Sequence, residues 1–158
     1  MIYSQKYVLV HFMQPLRDGV QFHMSEWPLH TTIADVFAVD RTVTNIDTSL
    51  AALLSRTTAV ETIANEDATL GTTPVVLLSK TPSLIALHTD AISLLEENLA
   101  VFNTPEFTRS GFLPHVTIQK DTRVHAGDKI TIDSISLVDM LPDNDWEQRK
   151  VLTTFKLK

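Results

Sequence analysis

The sequence predicts an α+β fold, because many short β-branched segments are interrupted by only two segments in which apolar residues recur at helical spacing. The chain has 158 residues, of which 44% are hydrophobic and 20% are charged. This length and composition are typical of one globular domain or of two small lobes that share a core. No apolar run is long enough to span a bilayer, so we expect no membrane partner. No segment has the composition of a linker, so we expect a single domain over residues 1–158.

Segments typical of strands, rich in Val, Ile, Thr and Phe, recur along the whole chain. The alternation of apolar and polar residues is clearest over residues 129–141, where isoleucines and a leucine lie among Thr, Asp and Ser. We expect a turn around Gly71 and proline-bearing loops over residues 14–27, 103–114 and 142–146. Strands are predicted over residues 5–13, 29–38, 57–66, 73–79, 115–120, 129–141 and 147–157.

Two segments, residues 46–56 and 82–101, have the apolar spacing of helices that bury one face. The second is the longer, and leucines and an alanine recur along it every three or four residues. Polar residues that can accept a hydrogen bond from the first turn precede or begin each segment. The candidate N-caps are Asp47 or Thr48 for the first helix and Thr81 or Ser83 for the second, in which Pro82 suits the first turn.

The pattern His-x-Thr-apolar occurs twice, as His30-Thr31-Thr32-Ile33 and as His115-Val116-Thr117-Ile118. Each copy lies in a predicted strand, where side chains two positions apart point to the same face. A histidine and a threonine therefore share a face in each copy. Two imidazoles can handle one phosphate, because one accepts a proton while the other donates one and the hydroxyls bond the phosphate oxygens. For both rings to reach one phosphate, we expect their nitrogens to be about 5–8 Å apart.

The doubled motif in a small α+β chain resembles the 2H phosphoesterase superfamily, which includes 2′-5′ RNA ligase-like proteins and cyclic nucleotide phosphodiesterases. The second copy, with Pro114 before His115, is the closer match to the family pattern. The first copy has Thr31 where the family usually has an apolar residue. The family often has an arginine five positions after the second histidine. Lys120 stands there in this chain, which keeps the positive charge but loses the bidentate fork.

The resemblance implies a bilobal fold in which two antiparallel sheets line a central cleft and the helices pack outside. It implies that His30, Thr32, His115 and Thr117 are catalytic and need no metal ion. The implied substrate is a 2′,3′-cyclic phosphate or a 2′-5′ phosphodiester of RNA ends or of small oligonucleotides, cyclic ones included. Which histidine is the base stays open. The alternative is a nucleotide- or RNA-binding module that keeps the cleft without turnover.

Further residues near the motifs are candidates for contacts with the substrate. Trp27 offers a ring on which a base can stack, and Arg109 and Phe107 lie in the loop that enters the second motif. His11 lies on the first predicted strand, on the face of Leu9 and Met13. The predicted substrate contacts are Lys120, Gln119, Trp27, Arg109 and His11.

Acidic residues outnumber basic ones by 19 to 13, which gives a net charge of −6. Proteins that bind a long polyanion usually carry a basic face, and the lysines and arginines here are scattered. We therefore expect no long duplex nucleic acid as a partner. A local site for one or two phosphates remains compatible with this charge.

The chain has no cysteine, so it contains neither disulfides nor thiolate metal sites. No cluster of His, Asp and Glu has the spacing of metal ligands, and we expect no metal or other cofactor. The N-terminal residues 1–11 lack the apolar core and cleavage site of a signal peptide, so we expect a cytoplasmic protein. The sequence does not indicate an oligomeric state.

Overall fold

The computed structural model describes residues 5–158, and within them ten strands and two α-helices confirm the α+β prediction. Residues 1–4, part of the segment on which the cytoplasmic expectation rests, lie outside the described residues. The helices are α1 (Ile46–Ser55) and α2 (Pro82–Glu97). The strands are β1 (Lys6–Phe12), β2 (Gln21–His23), β3 (His30–Ala38), β4 (Val60–Leu70), β5 (Thr73–Leu78), β6 (Val101–Phe102), β7 (His115–Thr117), β8 (Lys129–Ile132), β9 (Ser134–Asp139) and β10 (Gln148–Lys156).

The strands form one hydrogen-bonded path in the order β2-β10-β9-β1-β3-β7-β5-β4-β8, and β6 pairs separately with β3. Every pairing in this part of the chain is antiparallel. The two halves that the family resemblance implies therefore meet within a single ladder. The junction is the pairing of β3 with β7, where Thr31 lies opposite Val116. The two motif strands are thus neighbours at the centre of the sheet.

The two faces of the sheet carry different cores. The larger core packs α1 and α2 against one face, with Leu50, Leu54, Leu84 and Leu95 all buried in it. Burial of such apolar side chains is the main stabilising contribution to a fold of this size. A smaller cluster on the other face is built from Val8, Val10, Phe12, Val138 and Val151, with Leu16, Phe22, Trp27 and Met140 packed against it.

The helix ends differ in part from the sequence predictions. Thr81 caps α2 as predicted, since its hydroxyl accepts a hydrogen bond from the Leu84 N–H. The cap of α1 is Asn45, whose side chain accepts from the Thr48 N–H, so the predicted caps Asp47 and Thr48 are wrong. Within the described residues, neither helix has the length and apolar character needed to cross a membrane.

The predicted extension of α2 to residue 101 is wrong, because the helix ends at Glu97. Leu99 adopts a left-handed backbone with a φ of 63°. The N–H groups of Leu99 and Ala100 then bond back to the carbonyls of Glu96 and Leu95. This is the hydrogen-bond pattern of a Schellman stop. It usually contains glycine at the left-handed position, and leucine there gives no sequence signal.

Two predicted strands are shorter or divided in the structure. The segment 129–141 is split into β8 and β9 by Asp133, which belongs to neither. The second motif strand, predicted over 115–120, ends at Thr117. The chain then turns, because the Gln119 N–H bonds to the carbonyl of Thr122 instead of continuing a ladder.

Candidate active site

The pairing of β3 with β7 determines which side chains share a face at the centre of the sheet. Thr31 and Val116 lie opposite each other, and each is only 1% exposed. Successive side chains of a strand point to opposite faces, so the residues on either side of this pair point away from that buried face. They are His30, Thr32, His115 and Thr117, called here the four motif residues.

The register arranges the four motif residues as two cross-strand pairs. Because β3 and β7 are antiparallel around Thr31 and Val116, Thr32 lies opposite His115 and His30 lies opposite Thr117. The two histidines therefore occupy diagonal positions. The Cα atoms of such a pair are about 7–8 Å apart in an antiparallel sheet. The two rings thus lie on neighbouring strands and on one face, and the separation of about 5–8 Å between their nitrogens stays a prediction.

Each histidine ring is held by a hydrogen bond from Nδ1 to a backbone carbonyl. His30 Nδ1 lies 2.9 Å from the carbonyl oxygen of Pro28, and His115 Nδ1 lies 2.8 Å from that of Leu113. A carbonyl oxygen can only accept, so Nδ1 carries the proton in both rings. Within residues 5–158 neither Nε2 has a protein partner, so both nitrogens can act on a ligand.

The surroundings of His30 favour its neutral form. Burial lowers the pKa of His30, and the charge of His115 lowers it further, while the hydrogen bond to Pro28 opposes both effects. Much of this burial is aromatic, because the Trp27 ring lies 4.5 Å and the Phe12 ring 6.1 Å from the imidazole, centroid to centroid. His30 is therefore suited to accept a proton.

The hydroxyls of Thr32 and Thr117 are available to a ligand. Both side chains are half-buried, and no hydrogen bond joins either hydroxyl to another group of the described residues. Thr31, between His30 and Thr32, differs because its hydroxyl is fully buried on the opposite face and has no partner within residues 5–158. Adjacent threonines thus have opposite environments.

A cavity of about 520 Å³ opens beside Thr32 and His115. It occupies a gap along the edge of β3, because β7 pairs at Thr31 and β6 pairs only from Phe37 onward. His88 of α2 closes part of this gap, since its Nδ1 donates to the Ile33 carbonyl at 2.7 Å. The cavity is lined by Thr32, Ile33, Asp35, Thr69, Leu70, Gly71, His88, Phe107, Phe112, Leu113 and His115.

Asp35 is the one carboxylate among the described residues that line this cavity, and no sequence pattern indicated it. Its Oδ1 accepts from the Val36 N–H at 2.8 Å, and its Oδ2 accepts from the Thr104 hydroxyl at 3.0 Å. The register of β3 against β1 shifts on both sides of Leu9, which pairs with Ala34. Strict alternation therefore fails before Asp35, and no local pattern marks such a bulge.

The structure brings Trp27 to the motif residues, but as the aromatic neighbour that buries the His30 ring. Phe12 and Phe22 pack against Trp27 in turn, at centroid distances of 6.3 Å and 5.0 Å. The loop before the first motif is thereby fixed to the sheet. Gln119 and Lys120 lie two and three residues beyond the end of β7, and Lys120 is exposed.

Two predicted substrate contacts, His11 and Arg109, are corrected by the structure. His11 is 4% exposed on the face of Leu9, within the larger core, and its Nδ1 donates to the Ser134 carbonyl at 2.8 Å. The Arg109 guanidinium turns to the surface of α2, where it bonds to Ser93 and Glu96 at 3.2 Å each. Neither side chain is directed at the four motif residues.

Metal ligands are not grouped in the described part of the chain. Between residues 5 and 158, no three His, Cys, Asp or Glu side chains lie in an arrangement that could hold a metal ion. The four motif residues themselves supply two imidazoles with fixed tautomers and two free hydroxyls. Such a set can exchange protons on both sides of one phosphate while it holds the phosphate oxygens.

Comparison with known proteins gives a family match and several similar folds. The profile of the family described as the 2′-5′ RNA ligase superfamily matches residues 9–146. The crystal structure of a phosphoesterase aligns with a TM-score of 0.61 and 14% identity, covering 98% of both chains. No curated protein is similar enough in sequence to count as a match.

Two structures of E. coli LigT have the same fold. LigT complexed with NADP+ aligns with a TM-score of 0.59 and 14% identity, covering 99% of both chains. LigT complexed with 3′-AMP aligns with a TM-score of 0.55 and 13% identity, covering 98% of this chain and 99% of LigT. At these identities the likeness concerns the fold alone.

Proposed function

The chain belongs to the 2′-5′ RNA ligase superfamily, as the paired motifs predicted, and from this membership we propose that it is a phosphodiesterase whose two motif histidines act on one phosphate without a metal ion. The proposed substrate is a 2′,3′-cyclic phosphate or a 2′-5′ phosphodiester of an RNA end or of a small oligonucleotide. The excess of acidic residues, 19 against 13 basic ones, favours a small substrate over a long polyanion.

The observation that carries the proposal is the diagonal arrangement of His30 and His115, each flanked across the strands by a threonine. A phosphate between the rings would contact an imidazole on two sides and a hydroxyl on each strand. This arrangement supports catalysis by a general acid and a general base, each of which contributes about 10²–10⁴-fold. The two hydroxyls would stabilise the charge that develops on the phosphoryl oxygens.

The lowered pKa of His30, caused first by burial, supports its role as the base. In hydrolysis of a cyclic phosphate, His30 Nε2 takes a proton from water as the water oxygen bonds to phosphorus. The bond between phosphorus and one ribose oxygen breaks, and protonated His115 gives its proton to that oxygen. The product is a nucleoside monophosphate, and exchange with solvent returns both rings to their starting states.

A nucleotide substrate has independent support from the neighbouring structures. LigT, which shares the fold, is described in complexes with 3′-AMP and with NADP+. The cavity beside Thr32 and His115, about 520 Å³ in volume, lies within the roughly 300–1,000 Å³ range of small-molecule sites. A nucleotide could therefore present its phosphate to the motif residues and its nucleoside to the cavity.

The experiment that tests the proposal is incubation with 2′,3′-cyclic nucleotides and 2′-5′ dinucleotides, with products separated by chromatography. We expect turnover that EDTA does not reduce and that His30→Ala and His115→Ala each lower about 10²–10⁴-fold. The matched control is His125→Ala, because the His125 side chain is 71% exposed in a surface turn. Full turnover in either motif variant would refute the two-histidine mechanism.

The same experiment separates the enzyme from the binding module. Nucleotide binding without product in the wild-type chain would favour the module. Inhibition by EDTA that added metal ions reverse would favour a metal-dependent enzyme. Which of the two substrate sets yields product decides between a cyclic phosphate and a 2′-5′ linkage.

A further inference from the structure

The cavity beside the motif residues has a chemical character that the phosphate chemistry does not require. Two of its lining residues, Thr32 and His115, belong to the four motif residues. One ligand can therefore fill the cavity and place its phosphate between the two histidines. What else lines the cavity determines which part of a substrate it accepts.

The walls of the cavity expose large apolar side chains. Phe107 is 49% exposed and Leu113 is 38% exposed, although both are residues that folding normally buries. Phe112 and Leu70 extend this apolar lining. An exposed aromatic ring in a cavity offers a stacking surface for a planar group such as a nucleobase.

Asp35 supplies the only acidic group among the cavity residues, and no lysine or arginine of the described chain lines the cavity. A carboxylate repels a second phosphate, so this end of the cavity suits a neutral group. An ionised carboxylate only accepts hydrogen bonds, and it has about four acceptor positions. The Val36 N–H and the Thr104 hydroxyl use one position on each oxygen, so each oxygen keeps capacity for a donor from a ligand.

The four nucleobases differ in the donors that they can offer to a carboxylate. Guanine presents two adjacent donors, its ring N1–H and its exocyclic amine, which match the two oxygens of a carboxylate. Adenine and cytosine present one amine beside a ring nitrogen that only accepts, and uracil presents one N–H between two carbonyls. A base with two adjacent donors should gain the most affinity from the carboxylate, and a base that points an acceptor at the carboxylate should lose affinity.

From these observations we propose that the cavity binds the nucleobase of the substrate and that Asp35 makes it selective for guanine, with uracil the least favoured base. The proposal rests on the proposed function for the position of the phosphate. It also agrees with the roles given to the histidines. A nucleoside in this cavity puts the leaving ribose oxygen on the side of His115, which lines the cavity, and leaves the opposite side of phosphorus to His30.

The test is calorimetric binding of the four nucleoside 3′-monophosphates to the wild-type chain and to three variants. Asp35→Asn removes the charge and one acceptor, and Phe107→Ala removes the stacking ring. Asp90→Asn is the matched control, because Asp90 lies exposed on α2 away from the cavity. Thermal unfolding of each variant establishes that it is folded.

In the wild-type chain we expect the guanine nucleotide to bind about tenfold or more tightly than the uracil nucleotide. Asp35→Asn should reduce this ratio to within about threefold, while Asp90→Asn should leave it unchanged. Phe107→Ala should weaken all four nucleotides by about tenfold and preserve their ratio, because stacking tolerates any base.

Equal affinities for the four nucleotides, or a guanine preference that survives in Asp35→Asn, would overturn the base-selective cavity. Turnover of cyclic nucleotides, measured in parallel, separates this failure from that of the proposed function. Turnover of cyclic nucleotides with no base preference would refute only the proposal about the cavity. Guanine-selective binding with no turnover would refute the proposed phosphodiesterase activity and would support the proposal that the cavity selects guanine.

Discussion

His30 and His115 are held by the same local hydrogen bond, from ring Nδ1 to the carbonyl of the residue two positions earlier. In the first motif that carbonyl belongs to Pro28, and in the second it belongs to Leu113, which Pro114 follows. Both bonds fix the proton on Nδ1 and leave Nε2 free. Both motifs therefore leave the same ring nitrogen, Nε2, free to act on a ligand. Only the surroundings of each ring distinguish the base from the acid.

The adjacent residues Thr31 and Thr32 provide a matched pair of substitutions. Thr32→Val should lower kcat by about 10²–10³-fold, because it removes a hydroxyl that stabilises the phosphoryl oxygens, and should leave stability nearly unchanged. Thr31→Val should leave kcat unchanged and raise the free energy of unfolding by about 1–3 kcal/mol, because the Thr31 hydroxyl is buried without a partner among residues 5–158. Urea unfolding and steady-state kinetics measure both quantities. Equal effects of the two substitutions on kcat would contradict the assignment of faces.

The pH profile of kcat/KM should report the environment of His30. As a base, His30 must be neutral, and burial lowers its pKa below the usual value of 6.5, so the acidic limb should have its midpoint below about 6.5. Trp27→Ala exposes the ring, which raises its pKa, and should move the limb to higher pH. Trp146→Ala is the control, since Trp146 is 60% exposed. A limb that does not move in Trp27→Ala would argue against His30 as the base.

Stability should decrease when the pH falls below about 6.5. Burial is the largest cause of the lowered pKa values of His11 and His88, so the unfolded chain binds more protons than the native chain below about pH 6.5. Their contribution is fully present above that pH and is lost as the pH falls through the native pKa values. Urea titrations at pH 7.5 and pH 5.5 measure the difference. His11→Gln, which keeps an N–H donor, should show a smaller loss on acidification. Equal stability of the wild-type chain at both pH values would be the contrary result.

Gly111 should be essential for the loop that enters the second motif. A β-carbon at this position would overlap the Glu106 carbonyl oxygen, a backbone atom that cannot rotate away. Gly111→Ala should therefore cost about 1–3 kcal/mol of stability and raise KM, because the displaced loop carries Phe107 and Leu113. Ser110→Ala, at an exposed neighbouring position, should change neither quantity. A wild-type KM and stability in Gly111→Ala would show that the loop absorbs the β-carbon.

Local patterns were sufficient for the parts of the site that lie within one strand. The alternation rule put His30 with Thr32 and His115 with Thr117, as the β3 and β7 register agrees. The same rule put His11 on the face of Leu9. The rule could not indicate which face of β1 lines the site. Alternation shows which side chains share a face, but it does not show which face packs against the helices.

Features that depend on distant parts of the chain were not predictable from the sequence. The register of β3 against β7 depends on pairing between remote segments, and the three-residue β2 and two-residue β6 carry too few residues for a pattern. Asp35 follows a register shift in β3. Strict alternation along the strand therefore predicts the wrong face for its side chain. Arg109 turns to α2 through a left-handed backbone with a φ of 56°, which is unusual for arginine.

The central claim is that the Nε2 atoms of His30 and His115 act on one phosphate. Nitrogen-15 NMR of the histidine rings, during titration with inorganic phosphate and then with a nucleoside 3′-monophosphate, tests this claim most directly. We predict that both Nε2 resonances shift together with one affinity and that His115→Ala abolishes the shift at His30. Resonances that shift at different ligand concentrations, or a shift at only one ring, would contradict a shared phosphate.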